Sequence, residues 1–300
     1  MKNDAETDST VRILALQLAR RVCRDYRLDE AQAVERIVEA WLRNDSLRQA
    51  IAETADIAKI KRTRAYKEAA RAAKKGIYFE LRRYRRQDPE LIEAIAELES
   101  LAPQQEPELV RRLLVRIAGG HVSMAERLPH LDVFVEQLCS VLGSAVSVLD
   151  IGAGVAPLLF PFDGLPRVRS YVACDRDKIS VRALDAYADW RGDRRLKAVL
   201  WDISEDWTSF AARSEVKTFD IALMLKLLPV VERQTPALVS VLANAPAHGL
   251  LLTGSKEALT KRKQIGRREL ATLERFIDLH GLKRVGSFET PDEIGILAQA

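Results

Sequence analysis

The hydrophobic pattern of this 300-residue chain changes period once, near Ala145, and that change limits the folds open to it. Before it, apolar residues recur every three or four positions, the spacing of a helix face. After it, short β-branched runs alternate with amphipathic segments, the pattern of a parallel sheet covered by helices. The division expected is an all-helical N-terminal domain over residues 1–120 and an α/β domain over residues 121–300.

Within the first part the spacing predicts helices beginning after Thr10 and after Asp29, and a long third helix from about Ser46 to Gly76, where glycine supplies a stop. Pro89 and Pro107 stand at first helical positions. Ser123 and Glu126 have the spacing of a capping box, and the helix they open should run to about Gly143. Seven strands are predicted beyond, at residues 146–151, 168–174, 196–201, 219–224, 249–253, 283–288 and 294–298. A short turn with Pro291 and Asp292 joins the last two, which predicts an antiparallel hairpin closing a mostly parallel seven-stranded sheet.

Hydrophobic residues make up 47% of the chain, enough to fill a core of this size, and the balance of 47 Lys+Arg against 43 Asp+Glu leaves only +4. Where the charge sits matters more. Residues 59–86 hold 12 Lys/Arg against Glu68 and Glu80, with Tyr66, Tyr78, Phe79 and Tyr84 interleaved. Cations mixed with aromatic rings suit a nucleic acid, the rings stacking on exposed bases. Lys61, Arg64, Lys67, Arg71, Lys74, Lys75, Arg82 and Arg83 are the RNA contacts expected from this segment. A solvated helix face is the structural alternative. Lys256, Lys261, Arg262, Lys263, Arg267 and Arg268 form a second basic patch, with Lys261, Arg262 and Lys263 the RNA contacts expected from it, so that two patches from two domains could grip one folded RNA. Cys23, Cys139 and Cys174 are too few and too widely spaced for a disulfide framework or a zinc site. The four histidines form no ligand spacing or dyad, so no metal is expected. The start of the chain lacks the order of a signal peptide and no apolar run could span a bilayer, which predicts a cytoplasmic protein without a membrane partner.

Residues 148–154, Val-Leu-Asp-Ile-Gly-Ala-Gly, read as a strand entering a glycine-rich turn, where backbone must approach a ligand closely and adopt positive φ. A dinucleotide fingerprint would place a third glycine where Pro157 stands. Asp150 at the strand end would repel a diphosphate but suits the cationic amino-acid end of S-adenosylmethionine. Asp175 ends the next strand, where a carboxylate accepts ribose hydroxyls. Asp202 follows the third, within reach of an adenine amine. Each acid alone could be a turn former or helix cap. Three at successive strand ends mark a cofactor site, with Gly152, Ala153 and Gly154 in the turn and Trp201 packing either on adenine or in the core.

Asp150, Gly152 and Gly154 followed by Pro157, then residues 225–233 (Leu-Lys-Leu-Leu-Pro-Val-Val-Glu-Arg), and upstream residues 123–128 (Ser-Met-Ala-Glu-Arg-Leu) with Leu131 and Asp132, resemble the aminoglycoside-resistance 16S ribosomal RNA methyltransferases that act on N7 of guanine 1405. The resemblance is clearest from about residue 120 to 235. It implies a Rossmann-like class I S-adenosylmethionine methyltransferase domain behind a helical RNA-binding domain. It further implies that Arg127 pairs with the methionine carboxylate, that Asp150 and Gly152 line the methionine end, that Asp175 holds the ribose and Asp202 the adenine. Lys226, Leu227, Leu228 and Pro229 would lie near the transferring methyl, with Leu227 touching the cofactor, although core packing serves the two leucines nearly as well.

The family carries a glycine- and arginine-rich loop after the fifth strand. Here residues 255–266 keep the positive charge but have one glycine. The expected protein is therefore a monomeric methyltransferase acting on 16S rRNA in the 30S subunit. The alternatives are the same chemistry on another rRNA or tRNA nucleotide, or a non-catalytic RNA-binding assembly factor.

Overall fold

The computed structural model describes residues 4–26, 30–54, 56–84, 89–257 and 264–299, in two compact units, Met1–Tyr84 and Arg85–Ala300. The first unit is helical: α1 (Asp4–Tyr26), α2 (Glu30–Leu42), α3 (Asp45–Ala52), α4 (Ile57–Arg62) and α5 (Arg64–Tyr84). Its core gathers Leu14, Leu18, Ile37, Trp41, Leu47, Ile51 and Ile60. The Trp41 indole N–H donates to the Ala69 carbonyl at 3.2 Å, so α2 holds α5 by a buried hydrogen bond as well as by packing.

The single long helix expected over residues 46–76 is three helices. Asn44 caps α3 by accepting from the Leu47 N–H. Asp56 caps α4 by accepting from the N–H groups of Ala58 and Lys59. Thr63 stands in extended backbone between α4 and α5 and takes the Tyr66 N–H on its hydroxyl. Short polar side chains offer the backbone a local partner that competes with the helix ladder. Gly76 does not stop α5, which continues to Tyr84.

The second unit begins with α6 (Pro89–Ser100) and α7 (Pro107–Gly120), each opened by its proline as expected, followed by α8 (Val122–Arg127) and α9 (Leu131–Leu142). Pro129 lies in a 3-10 turn that separates α8 from α9, so the helix expected to run to Gly143 is broken. The boundary expected at residue 120 falls instead after Tyr84. Leu91, Ile95 and Leu98 of α6 and Val110, Leu113 and Ile117 of α7 belong to the same core as the sheet. An apolar stripe goes to the nearest surface it can cover, and for these helices that surface is a sheet face.

The sheet contains β1 (Ser147–Ile151), β2 (Ser170–Asp175), β3 (Leu196–Leu200), β4 (Phe219–Met224), β5 (Ala247–Ser255), β6 (Lys283–Glu289) and β7 (Glu293–Gln299) in the order β3-β2-β1-β4-β5-β7-β6. β3 to β5 are parallel, and β7 runs antiparallel to both β5 and β6. This is the seven-stranded, mostly parallel sheet that the sequence predicts, closed by the expected hairpin. α10 (Lys178–Arg191), α11 (Trp207–Ser214), α12 (Leu228–Gln234), α13 (Val239–Ala243) and α14 (Gly266–Leu279) complete the unit. Alternation along β1 sends Val148 into one core, shared with α6, α7, α9 and α10, and Leu149 into the other, shared with α14. Among the described residues no helix is long and apolar enough to cross a membrane.

Candidate active site

The glycine turn begins where β1 ends. Gly152 and Gly154 have φ of +68° and +55°, values that a side chain would strain. The N–H groups of Gly152 and Ala153 both reach the Cys174 carbonyl, at 2.8 and 3.1 Å, and the Gly154 N–H reaches Asp175 Oδ2 at 2.9 Å. The turn is thus folded over the end of β2. A Cβ at Gly152 would lie 3.0 Å from Leu227, and one at Gly154 would lie 2.7 Å from the His121 ring. Glycine lets the segment after β4 and the start of α8 close on the turn from two sides.

Sheet order places the three acids together at one edge, because β1, β2 and β3 are adjacent and parallel. Their states differ. Asp150 is fully buried, and its Oδ2 accepts the Tyr171 hydroxyl at 2.8 Å while Oδ1 has no partner. Burial raises its pKa from the usual 3.8 to about 7, and nearby Asp175 adds to the rise while the Tyr171 hydrogen bond and Arg127 oppose it. Asp175 is half-buried and takes the Asp177 N–H on its second oxygen. Asp202 accepts the Ser204 N–H at 2.8 Å. Burial works against its charge, but that hydrogen bond and Arg176 hold it below the usual range. Trp201 is buried in the core, stacked on Trp207 at 4.6 Å, with its indole N–H unpartnered.

Arg127 stands at the end of α8 and is 3% exposed. Its Nε donates to Glu293 Oε1, its guanidinium lies 4.5 Å over the Phe134 ring, and its Nη2 has no partner. Glu293, wholly buried at the start of β7, also accepts from the Thr253 hydroxyl at 2.6 Å and lies 3.7 Å from the Lys226 ammonium. Burial pushes Glu293 up, but the charges of Arg127 and Lys226 outweigh it and its carboxyl sits below the usual range. Lys226 has φ +58°, its N–H donates to the Thr253 hydroxyl oxygen at 2.9 Å, and its ammonium reaches Glu126 at 2.7 Å. One buried carboxylate therefore ties α8, β5, β7 and the segment after β4 into a single unit. Two cations and two anions balance within it, and the carboxyls of Asp150, about half ionised near pH 7, and Asp175 stand beside it at this edge.

The expected capping box does not form. His121 occupies the cap position without a side-chain bond to the helix, Ser123 pairs with His121 Nδ1, and Glu126 is drawn away to Lys226. Leu228 is buried in the core, and Leu227 is partly buried against the same core and lies against Gly152. Pro229 sits in the first turn of α12. Glu293, Thr253, Tyr171 and His121 escaped the sequence reading. A glutamate opening a strand 166 residues from its arginine leaves no local signal.

On α5, Tyr66, Ala69, Ala70 and Ala73 turn into the helical core, and Tyr66 meets Trp41 edge-on at 5.6 Å rather than standing free to stack on a base. Arg64, Lys67, Arg71 and Lys75 lie exposed, Lys61 and Lys74 half-buried, and Arg64 pairs with Glu68. The backbone of Arg82 and Arg83 continues α5, while their side chains, like Lys261, Arg262 and Lys263 entirely, lie outside the described residues. Among the described residues no group of His, Cys, Asp or Glu could hold a metal ion.

The family model for ribosomal RNA methyltransferase (FmrO) matches residues 85–245, more than half of the chain. The chain belongs to this family. Curated relatives are 32% identical over 146 residues in a protein of Micromonospora echinospora and 32% over 130 residues in one of Frankia casuarinae, both named 16S rRNA (guanine(1405)-N(7))-methyltransferase. These matches cover 49% and 43% of this chain, and the chain spans about half the length of the curated relatives it matches. Among solved structures, that of the 16S rRNA methyltransferase RmtF in complex with S-adenosyl-L-homocysteine aligns with 91% of this chain and 99% of its own, at TM-score 0.54 and 23% identity. An rRNA methylase from Escherichia coli aligns with 88% of this chain and 98% of its own, at TM-score 0.52 and 19% identity. At these identities the likeness is one of fold, and it extends over both units of the FmrO-family chain.

Proposed function

We propose that this chain transfers a methyl group from S-adenosylmethionine to N7 of a guanine in 16S rRNA, at the site named for its relatives, and thereby protects the ribosome from aminoglycosides. One observation carries the cofactor reading: two buried polar atoms of opposite character, Arg127 Nη2 and Asp150 Oδ1, lie unpartnered at one edge of the sheet. A buried group left without a partner costs about 1–3 kcal/mol, more when charged. An amino-acid end group offers a carboxylate to the first and an ammonium to the second. The acidic side chains of Asp150 and Asp175 at this edge suit a cationic donor. Asp175 and Asp202 would accept from the ribose and the adenine, and the two glycines keep the turn free of side chains where a ligand must come close.

When bound, the donor supplies an electrophilic methyl on a sulfonium. Guanine N7 presents a ring-plane lone pair and no proton, so no general base is needed. The work left to the protein is alignment. Leu227, pressed against Gly152, and Lys226, fixed by Thr253 and Glu126, give the segment after β4 a rigid seat for it. The exposed cations of α5 would hold RNA phosphates, with binding that weakens as salt rises. The enzyme would act as a monomer on the assembled 30S subunit in the cytoplasm.

Calorimetry with S-adenosylhomocysteine is expected to show micromolar binding that Asp150→Ala abolishes, and absence of binding in the wild type would leave the assembly-factor reading. Expression in a susceptible bacterium, followed by borohydride and aniline cleavage and primer extension, should show a stop at guanine 1405. A stop elsewhere in 16S rRNA, or methyl transfer to tRNA alone, would favour a different target, the reading prompted by the single glycine in residues 255–266.

A further inference from the structure

A buried carboxylate outside the site holds two exposed arginines together. Glu269, in the first turn of α14, is 3% exposed at its side chain, and its Oε1 receives Arg233 Nη1 at 2.8 Å and Arg268 Nη2 at 2.7 Å, with Arg268 Nε at 3.2 Å. Both guanidiniums converge on one oxygen, so the two Nη atoms can be no further apart than those two bonds laid end to end. Glu269 reaches its place because β5 has glycine opposite it: a Cβ at Gly254 would lie 2.7 Å from the Glu269 Cβ.

One arginine, binding through Nε and Nη2, would satisfy this oxygen. The second leaves a local surplus of positive charge. The side chains of Arg233 and Arg268 remain 48% and 61% exposed. Of the ten N–H donors on two guanidiniums, only three are spent on Glu269. Two arginines with neighbouring open donors match the oxygens of a single phosphate. The start of α14, a 14-residue helix with no side-chain cap, adds its positive end beside Arg268. Arg233 lies five residues beyond Leu228 on α12, about 7.5 Å along the helix. A phosphate held there would be close to the segment proposed to align the target base.

We propose that Arg233 and Arg268, set by Glu269, form a clamp for one backbone phosphate of the RNA strand that carries the target guanine. Fixing that phosphate would steady the strand while the base is turned out of its stack. The inference rests on the RNA-methyltransferase reading and adds to it a binding point in the second unit.

The test compares Arg233→Gln and Arg268→Gln with Arg275→Gln. Arg275 is equally exposed, at 61%, and joins the same two helices through Glu232, but it forms no pair with a second arginine. Each single clamp variant leaves Glu269 one partner. The neutral triple variant with Glu269→Gln leaves no buried charge, and decides the matter should a single variant misfold. Affinity for 30S subunits with an unmodified decoding site is measured against salt, and S-adenosylhomocysteine affinity by calorimetry. Each clamp variant is expected to bind 30S about tenfold more weakly at low salt, and to lower the slope of log affinity against log salt by about 0.7–0.9, one phosphate's share. Arg275→Gln should match the wild type, and cofactor affinity should not move in any variant. Unchanged slopes in the clamp variants, or an equal loss in Arg275→Gln, would overturn the clamp. Methyl transfer to the same subunits separates the two claims. Binding through the pair without transfer would reject the proposed reaction and keep the clamp, and transfer with pair-independent binding would do the reverse. No binding of 30S by the wild type would reject both.

Discussion

Replacing Asp150 with asparagine should stabilise the ligand-free protein, and by an amount that grows with pH. The folded carboxyl has a pKa of about 7 against 3.8 for the free group. The folded state therefore holds a proton that the unfolded state releases between those values, so stability is lost as pH rises through that window. The gap corresponds to about 4 kcal/mol once both limits are passed, at 1.36 kcal/mol per pH unit. At pH 5 only about 2 kcal/mol of that cost is present, and at pH 8 all of it is. Asparagine keeps an oxygen for the Tyr171 hydroxyl and abolishes the titration. Its buried amide N–H costs about 1 kcal/mol at every pH and leaves the slope untouched. For a unit of this size, where 1 kcal/mol moves Tm by about 2–4 °C, the Tm advantage of Asp150→Asn should widen by about 5–10 °C between pH 5 and pH 8. Thermal unfolding of both proteins without ligand measures it. A Tm difference that stays constant with pH would refute the assignment of a buried carboxyl with a raised pKa at the end of β1.

Glu293→Gln should cost about 3 kcal/mol in urea unfolding at neutral pH, because Arg127 is left as a buried charge without its partner. The wild-type pKa is lowered, so this contribution is present above the unfolded carboxyl pKa and fades as pH falls through the folded one, and the difference between the two proteins should narrow in acid. Gly154→Ala should destabilise by at least 1–2 kcal/mol, roughly the cost of a side chain at positive φ, and weaken S-adenosylhomocysteine binding about tenfold or more, read by calorimetry. Gly76→Ala, mid-helix in α5 with open space around it, should instead raise stability by about 0.5–1 kcal/mol in thermal unfolding.

Local chemistry made much of the fold legible. The period change at Ala145, the short apolar runs and the turn at Pro291 gave strands, order of secondary elements and hairpin, because central strands such as β1, β4 and β5, buried on both faces, need near-continuous apolar residues. Prolines 89 and 107 marked helix starts for the same local reason. The misreadings were also local in origin: Asp56 and Thr63 break a periodic stretch with side chains that compete for backbone hydrogen bonds, and Pro129 breaks another because it lacks a backbone N–H, while hydrophobic spacing is blind to both. The domain boundary failed differently. Nothing in the residues of α6 and α7 says which of two cores their apolar stripes will join.

The amino acids alone settled what must happen next to each residue: a glycine turn after β1, acids at the ends of successive parallel strands, an unbalanced run of cations within residues 59–86. Tertiary structure decided which of those residues share a space. It set Glu293 between Arg127 and Lys226, drew Glu126 out of its cap, buried Asp150 deeply enough to raise its pKa, and brought Arg233 and Arg268 onto one carboxylate. Burial, and pairing across 36 to 166 residues of chain, depend on how the sheet faces are covered, and a linear pattern carries no record of distance between parts far apart along the chain.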